Sequence, residues 1–229
     1  MPQPSASRLV GTTLPRYNPT MRNAVLLLAC ACGSTAAPPT SGPVAPVTEA
    51  IPAPPERMWP ALDGWQTETI AFPLGFAPEI ELRGEELLRF APNFYDATKG
   101  SYFTYAFVWL VDAPTATIDA PWLSLQVERY FDGLCRAVAD SPDVSCAAHP
   151  TKARVTAASA STFGFAASER WRLELALFDG FKAERPVALE GTIERGVCGD
   201  RVVIATAVAP AGSAFREALR AQAQAFRCP

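Results

Sequence analysis

Residues 101–111, SYFTYAFVWLV, constrain the fold more than any other part of the chain. Alternate residues of a strand point to opposite sides, and here both sides are apolar. Phe103, Tyr105, Phe107, Trp109 and Val111 share one side; Tyr102, Ala106, Val108 and Leu110 share the other. A strand of this kind has to be covered on both faces, which places it in the interior of a sheet with a layer above and a layer below. The rest of the chain must supply both layers.

One layer is a helix. Asp119 is a suitable N-cap, Pro121 is tolerated in a first turn, and Leu123, Val127, Phe131, Leu134 and Val138 recur at helical spacing. The second is a C-terminal helix starting at Ser213, with Phe215, Leu219 and Phe226 on one side. Strands are expected at residues 65–72, 87–90, 153–165, 170–178, 187–193 and 201–208, with 80–82 and 87–90 forming a short hairpin or irregular edge around Arg83-Gly84. In residues 170–178, Trp171, Leu173, Leu175 and Leu177 face inward, and Arg170, Arg172 and Glu174 read as the wet face of a sheet. Strands, helix, strands, helix is the order of a single α+β domain with a mainly antiparallel sheet and two principal helices.

That domain does not begin at the first residue. Twelve of the 22 prolines fall before residue 61, and no acid precedes Glu49. Residues 33–57 alternate small residues with proline and cannot bury enough surface to offset their ordering entropy. They are expected to form a flexible tether, reaching at most about 80 Å when extended. Ahead of it, Arg22 and the apolar residues 24–29 lead to Cys30 in the manner of a secretory signal. Met21 is a good start for such a signal, so residues 1–20 read as an upstream extension. The expected organisation is extension and signal at 1–29, tether at 30–57, and globular domain at 58–229. The apolar run is too short to span a bilayer.

Leu27, Leu28, Ala29 and Cys30 resemble the lipobox of bacterial lipoproteins. The resemblance implies that Cys30 receives a diacylglycerol, with Cys32 as the alternative acceptor. The mature protein would then sit in the cell envelope, held by acyl chains and facing the periplasm or the exterior. Removal of residues 1–29 takes away Arg8, Arg16 and Arg22 and no acid, so the formal charge goes from −3 to −6. Such a balance argues against nucleic acid as a partner.

Four cysteines remain: Cys135, Cys146, Cys198 and Cys228. An even number in an exported chain reads as two disulfides. Three pairings are open; Cys135–Cys146 and Cys198–Cys228 are favoured, joining the first helix to its adjacent loop and the last helix to a strand turn.

Catalytic signatures do not appear: there is no nucleophile elbow, zinc-protease pair, phosphate loop, dinucleotide fingerprint or calcium loop. The single histidine, His149, offers a general base in principle, but it sits beside Pro150 outside any serine motif. Glu85 and Glu86 are adjacent, would face opposite sides of a strand, and read as a solvated edge. The candidate binding residues are Tyr95, Asp96 and Lys99, on a polar loop beside the aromatic run. No cofactor or metal is expected.

FPLGFAPEI, GEELLRFAPNFYD and YFTYAFVWL together resemble a pattern in exported bacterial proteins without an assigned activity. The last strand and helix, ending in Ala-Phe-Arg, resemble exported domains of the PsbP/Mog1 type, which bears on fold alone. The expected role is a ligand- or protein-binding envelope module; an exported hydrolase-like enzyme is the alternative.

Overall fold

The computed structural model describes residues 55–114, 116–140 and 142–228. Cys30, Cys32, the signal and nearly all of the tether lie outside the described residues. The elements run α1 (Pro55–Met58), β1 (Gln66–Ala71), β2 (Gly84–Phe90), β3 (Tyr105–Val111), α2 (Ala120–Val138), α3 (Pro142–Ala148), β4 (Lys152–Ala157), β5 (Glu169–Asp179), β6 (Arg185–Cys198), β7 (Arg201–Pro210) and α4 (Arg216–Gln224). The seven strands form one antiparallel sheet in the order β1-β2-β3-β7-β6-β5-β4. This is an α+β domain.

β3 is buried at every position and lies between β2 and β7. Tyr105, Phe107, Trp109 and Val111 pack beneath α2 with Leu123, Val127, Tyr130 and Phe131. Ala106, Val108 and Leu110 face the other way, towards Leu219, Ala223 and Phe226. The strand starts at Tyr105 rather than Ser101. Residues 101–103 form a turn in which Phe103 takes φ 50°, its N–H donates to the Phe94 carbonyl at 3.1 Å, and the Ser101 hydroxyl donates to the Pro92 carbonyl. Tyr102 consequently joins the α2 side, where its hydroxyl donates to the buried Asp179 carboxylate. Burial and that carboxylate push the tyrosine's pKa up.

Residues 80–82 form no strand. Leu74, Ala77, Ile80 and Leu82 instead fill the space beside α2 as an irregular buried segment. The approach is close enough that a Cβ on Gly133 would meet the Phe76 carbonyl oxygen at 2.2 Å, so α2 carries glycine there. Asp119 caps α2 by accepting from the Trp122 N–H at 2.9 Å. α4 begins later than Ser213; the Ser213 hydroxyl accepts from the Phe215 N–H at 3.1 Å and donates to the Gly100 carbonyl at 3.0 Å. β4 ends at Ala157, and residues 158–168 run as a loop. Disulfides join Cys135 to Cys146 and Cys198 to Cys228, the first between α2 and α3 and the second between the end of β6 and the segment after α4.

The first turn of the domain is locked to its last helix. Trp59 is fully buried, its indole N–H donating to the Gln222 carbonyl at 2.8 Å and its ring meeting Phe226 edge-on at 5.8 Å. The Gln222 side chain accepts from the Leu62 N–H at 2.7 Å and donates to the Pro60 carbonyl at 2.9 Å. Arg89 of β2, also buried, donates from Nε to the Trp59 carbonyl at 3.0 Å and lies 4.9 Å from the indole centroid. Buried guanidinium is tolerated because carbonyls and a π face receive it. Trp59→Ala is expected to destabilise the domain by about 3–5 kcal/mol, read from urea unfolding. A loss below about 1 kcal/mol would show that this clamp is peripheral to the fold.

Candidate functional site

A groove of about 620 Å³ crosses the sheet on the α4 side. Its floor is Thr192 of β6 with Ala207 and Ala209 of β7, small enough side chains to leave depth. One wall is Arg216, Leu219 and Arg220 of α4, the other Ala160, Ser161 and Thr162, and Arg172, Glu174 and Glu190 form the strand side. Cross-strand pairing explains the arrangement: Arg172 lies opposite Thr192 and Thr192 opposite Ala207, while Glu174 lies opposite Glu190 and Glu190 opposite Ala209.

Glu194 builds the loop wall. It is fully buried and accepts from the backbone N–H groups of Thr162 and Phe163, the latter at 3.1 Å, and from the Ser161 hydroxyl at 3.0 Å. Arg170 pairs with it at 3.6 Å. Phe163 then drops into the core beneath α4, its ring 6.3 Å from that of Trp59. A charged acceptor with several donors is a strong anchor for a loop that has no strand of its own.

Both acids facing the groove are already paired. Glu190 holds Arg216 at 2.5 Å, and Glu174 holds Arg154 of β4. Arg172 has no carboxylate within 4.0 Å among the described residues, and Arg220 makes one long bond, 3.5 Å, to the Ser161 carbonyl. The Thr192 hydroxyl is shielded from solvent with no partner among the described residues. A shallower depression of about 370 Å³ shares Glu174 and Glu190 and extends the same surface towards β4.

The three loop residues singled out from sequence lie elsewhere. Tyr95 is 47% exposed and packs edge-on against Phe94 at 4.8 Å and against Phe181 at 5.7 Å. Asp96 accepts from the Thr98 N–H at 3.0 Å and its hydroxyl at 2.7 Å, bonds that hold its pKa below the ordinary value. Lys99 is exposed, and its N–H donates to the Asp96 carbonyl at 2.9 Å. None of the three lines the groove. His149 is exposed and stacks on Phe178 at 5.3 Å.

Glu86 departs from its reading as part of a solvated edge. Glu85 does face outward and pairs with Arg201 at 3.1 Å. Glu86 is fully buried on the α2 side, where Oε1 accepts from the Trp109 indole N–H at 3.0 Å and Oε2 has no partner among the described residues. Burial raises its pKa from an ordinary 4.5 to about 8, against smaller lowering by Trp109 and Tyr130. Tyr105 and Tyr130 beside it are raised as well, chiefly by burial and then by the carboxyl. The carboxyl lies within packed aromatic core and does not line the groove.

No protein-family model and no curated protein matches the chain. Among solved structures, it is similar to the crystal structure of LpqN, involved in cell envelope biogenesis of Mycobacterium tuberculosis. The identity is 13%, over 72% of this chain and 76% of that one, with a TM-score of 0.26. A likeness that loose transfers no residue to this chain.

The raised carboxyl has a measurable sign. Folded Glu86 binds its proton more tightly than the unfolded chain does, so its own contribution to stability is fully present below about pH 4.5 and is lost as pH rises towards about 8. The slope attributable to one such group is at most about 1.4 kcal/mol per pH unit. Urea unfolding across this range is expected to show the decline in wild type and a flatter profile in Glu86→Gln, which keeps an acceptor for Trp109. Identical slopes in the two proteins would show that Glu86 ionises freely in the folded domain.

Proposed function

We propose that this chain is an exported lipoprotein of the bacterial cell envelope whose domain binds a small polar ligand in the groove on the α4 side. The observation that carries the binding role is the groove itself: a concave, polar, mostly preformed surface whose wall is pinned by a buried carboxylate. Two closed disulfides support an oxidising compartment and hence export. The basic start, short apolar stretch and lipobox-like residues support a lipid anchor on Cys30, with Cys32 as the alternative. No helix among the described residues is long and apolar enough to cross a membrane.

Binding is preferred to catalysis because the groups suited to proton transfer do not converge on the groove. Glu86, with its raised pKa, is sealed in the opposite layer, and His149 lies on the surface against Phe178. The acids that face the groove are both held by arginines, which favours recognition over acid–base work.

Metabolic labelling with an alkynyl palmitate is expected to mark the wild-type protein and to fail on Cys30→Ser. Loss on Cys32→Ser alone would move the acceptor by two residues, and labelling of neither wild type nor variant would overturn the anchor. The groove is tested separately, by a thermal-shift screen of the full-length chain against small polar metabolites. Ala160 is exposed at the lip, so Ala160→Trp should obstruct the groove without disturbing the core. Hits are expected to disappear in that variant; hits that persist unchanged would place binding elsewhere.

A further inference from the structure

We infer that the groove selects ligands carrying a carboxylate or phosphate group, gripped between Arg172 on β5 and Arg220 on α4; this rests on the groove being the ligand site. Several charges around the groove already have partners. Glu190 is paired with Arg216 at 2.5 Å and Glu174 with Arg154, so each acid that faces the groove already has a cationic partner. The charge left over in the groove belongs to the two remaining arginines.

Those two stand on different walls. Arg172 is exposed in the middle of a cross-strand row, with Thr156 on one side and Thr192 on the other, so no acid faces it directly. Arg220 is exposed on α4, and its hydrogen bond to the loop wall among the described residues is a long one, 3.5 Å, to the Ser161 carbonyl. A guanidinium presents five N–H donors in a planar fork that fits carboxylate and phosphate oxygens two at a time. Both groups ask for the same thing, an oxygen-rich anion.

The negative charge of the whole chain does not reverse this. At physiological ionic strength fields fade over about 8 Å, so the arginines at contact outweigh distant carboxylates. The long-range charge slows the approach of an anion and leaves the bound geometry unaffected.

Calorimetry on the full-length chain in detergent would compare citrate, glucose 6-phosphate and glucose. Citrate, glucose 6-phosphate or both are expected to bind while glucose does not, and the anion that wins separates a carboxylate source from a phosphate source. Arg172→Gln and Arg220→Gln should each weaken that binding by about tenfold or more, as loss of a charge-assisted bond does. Both side chains are exposed, so the variants should keep the wild-type melting profile. Failure of both anions to bind, or equal binding of glucose and glucose 6-phosphate, would overturn the inference. If ligand binding is lost in Ala160→Trp but untouched in both arginine variants, the groove stands and its anion selectivity falls. If all three variants bind as wild type does, the groove is not the site and both readings fall.

Discussion

Because β3 pairs with β7 in the register that sets Trp109 opposite Ile204 and Val108 opposite Ala205, the two halves of the chain meet with their bulk on one side and their small residues on the other. On the α2 side, Phe107 of β3 stacks on Tyr130 and Tyr105 meets Phe131 edge-on, and these rings hold that helix at a distance. On the opposite side, Ala106, Ala205, Ala207 and Ala209 let the shorter α4 settle close to the strands. A one-residue slip would exchange the two faces and leave neither helix a surface that fits it. The groove is a by-product of the same asymmetry. α4 covers β3 and β7, the small side chains continue outward under Thr192, and the outer strands β5 and β6 stay open beside it.

Sequence periodicity made the layers readable where each element carries its own signal. β5, α2 and the two-sided character of β3 follow from residues close in the chain, and Asp119 marks the helix start unaided. The turn at 101–103 did not show, because Tyr102 and Phe103 look like more strand until Phe94 supplies a long-range acceptor. Glu86 was misread for a similar reason. Its neighbours Glu85 and Arg83 suggest solvent, and only Trp109 and Tyr130, from other elements, enclose it. The groove had the weakest trace of all. Arg172 and Glu174 look locally like a wetted strand face, and they do form one. The concavity comes from Ser161, Arg216 and Arg220, which lie far away in sequence and are placed by Glu194 and by α4.

The start of the sheet's β4 edge is covered by the helix that packs on its face. Glu128 and Asp132 of α2 accept from the N–H groups of Ala153 and Thr151 at 3.0 and 2.7 Å. Carboxylates on those donors take them away from any further strand at that end of the edge. One helix thus serves packing through its apolar stripe and edge protection through its flank. The disulfide from Cys135 to Cys146 fixes the end of that helix relative to the chain leading into β4.

The clamp at Trp59 also decides how the domain meets mechanical load. Any tension transmitted along the chain ahead of Met58 reaches the buried indole, Arg89 and Gln222 before it reaches β1. Arg227 adds a backbone bond to the Met58 carbonyl at 2.8 Å, and the neighbouring Cys228 is cross-linked to Cys198. The pull is therefore shared between the first residues of the fold and its last, and is passed into the tip of the β6–β7 hairpin by a covalent bond. Peeling of the edge strand, the easiest way for a sheet to fail, is not where the force is applied.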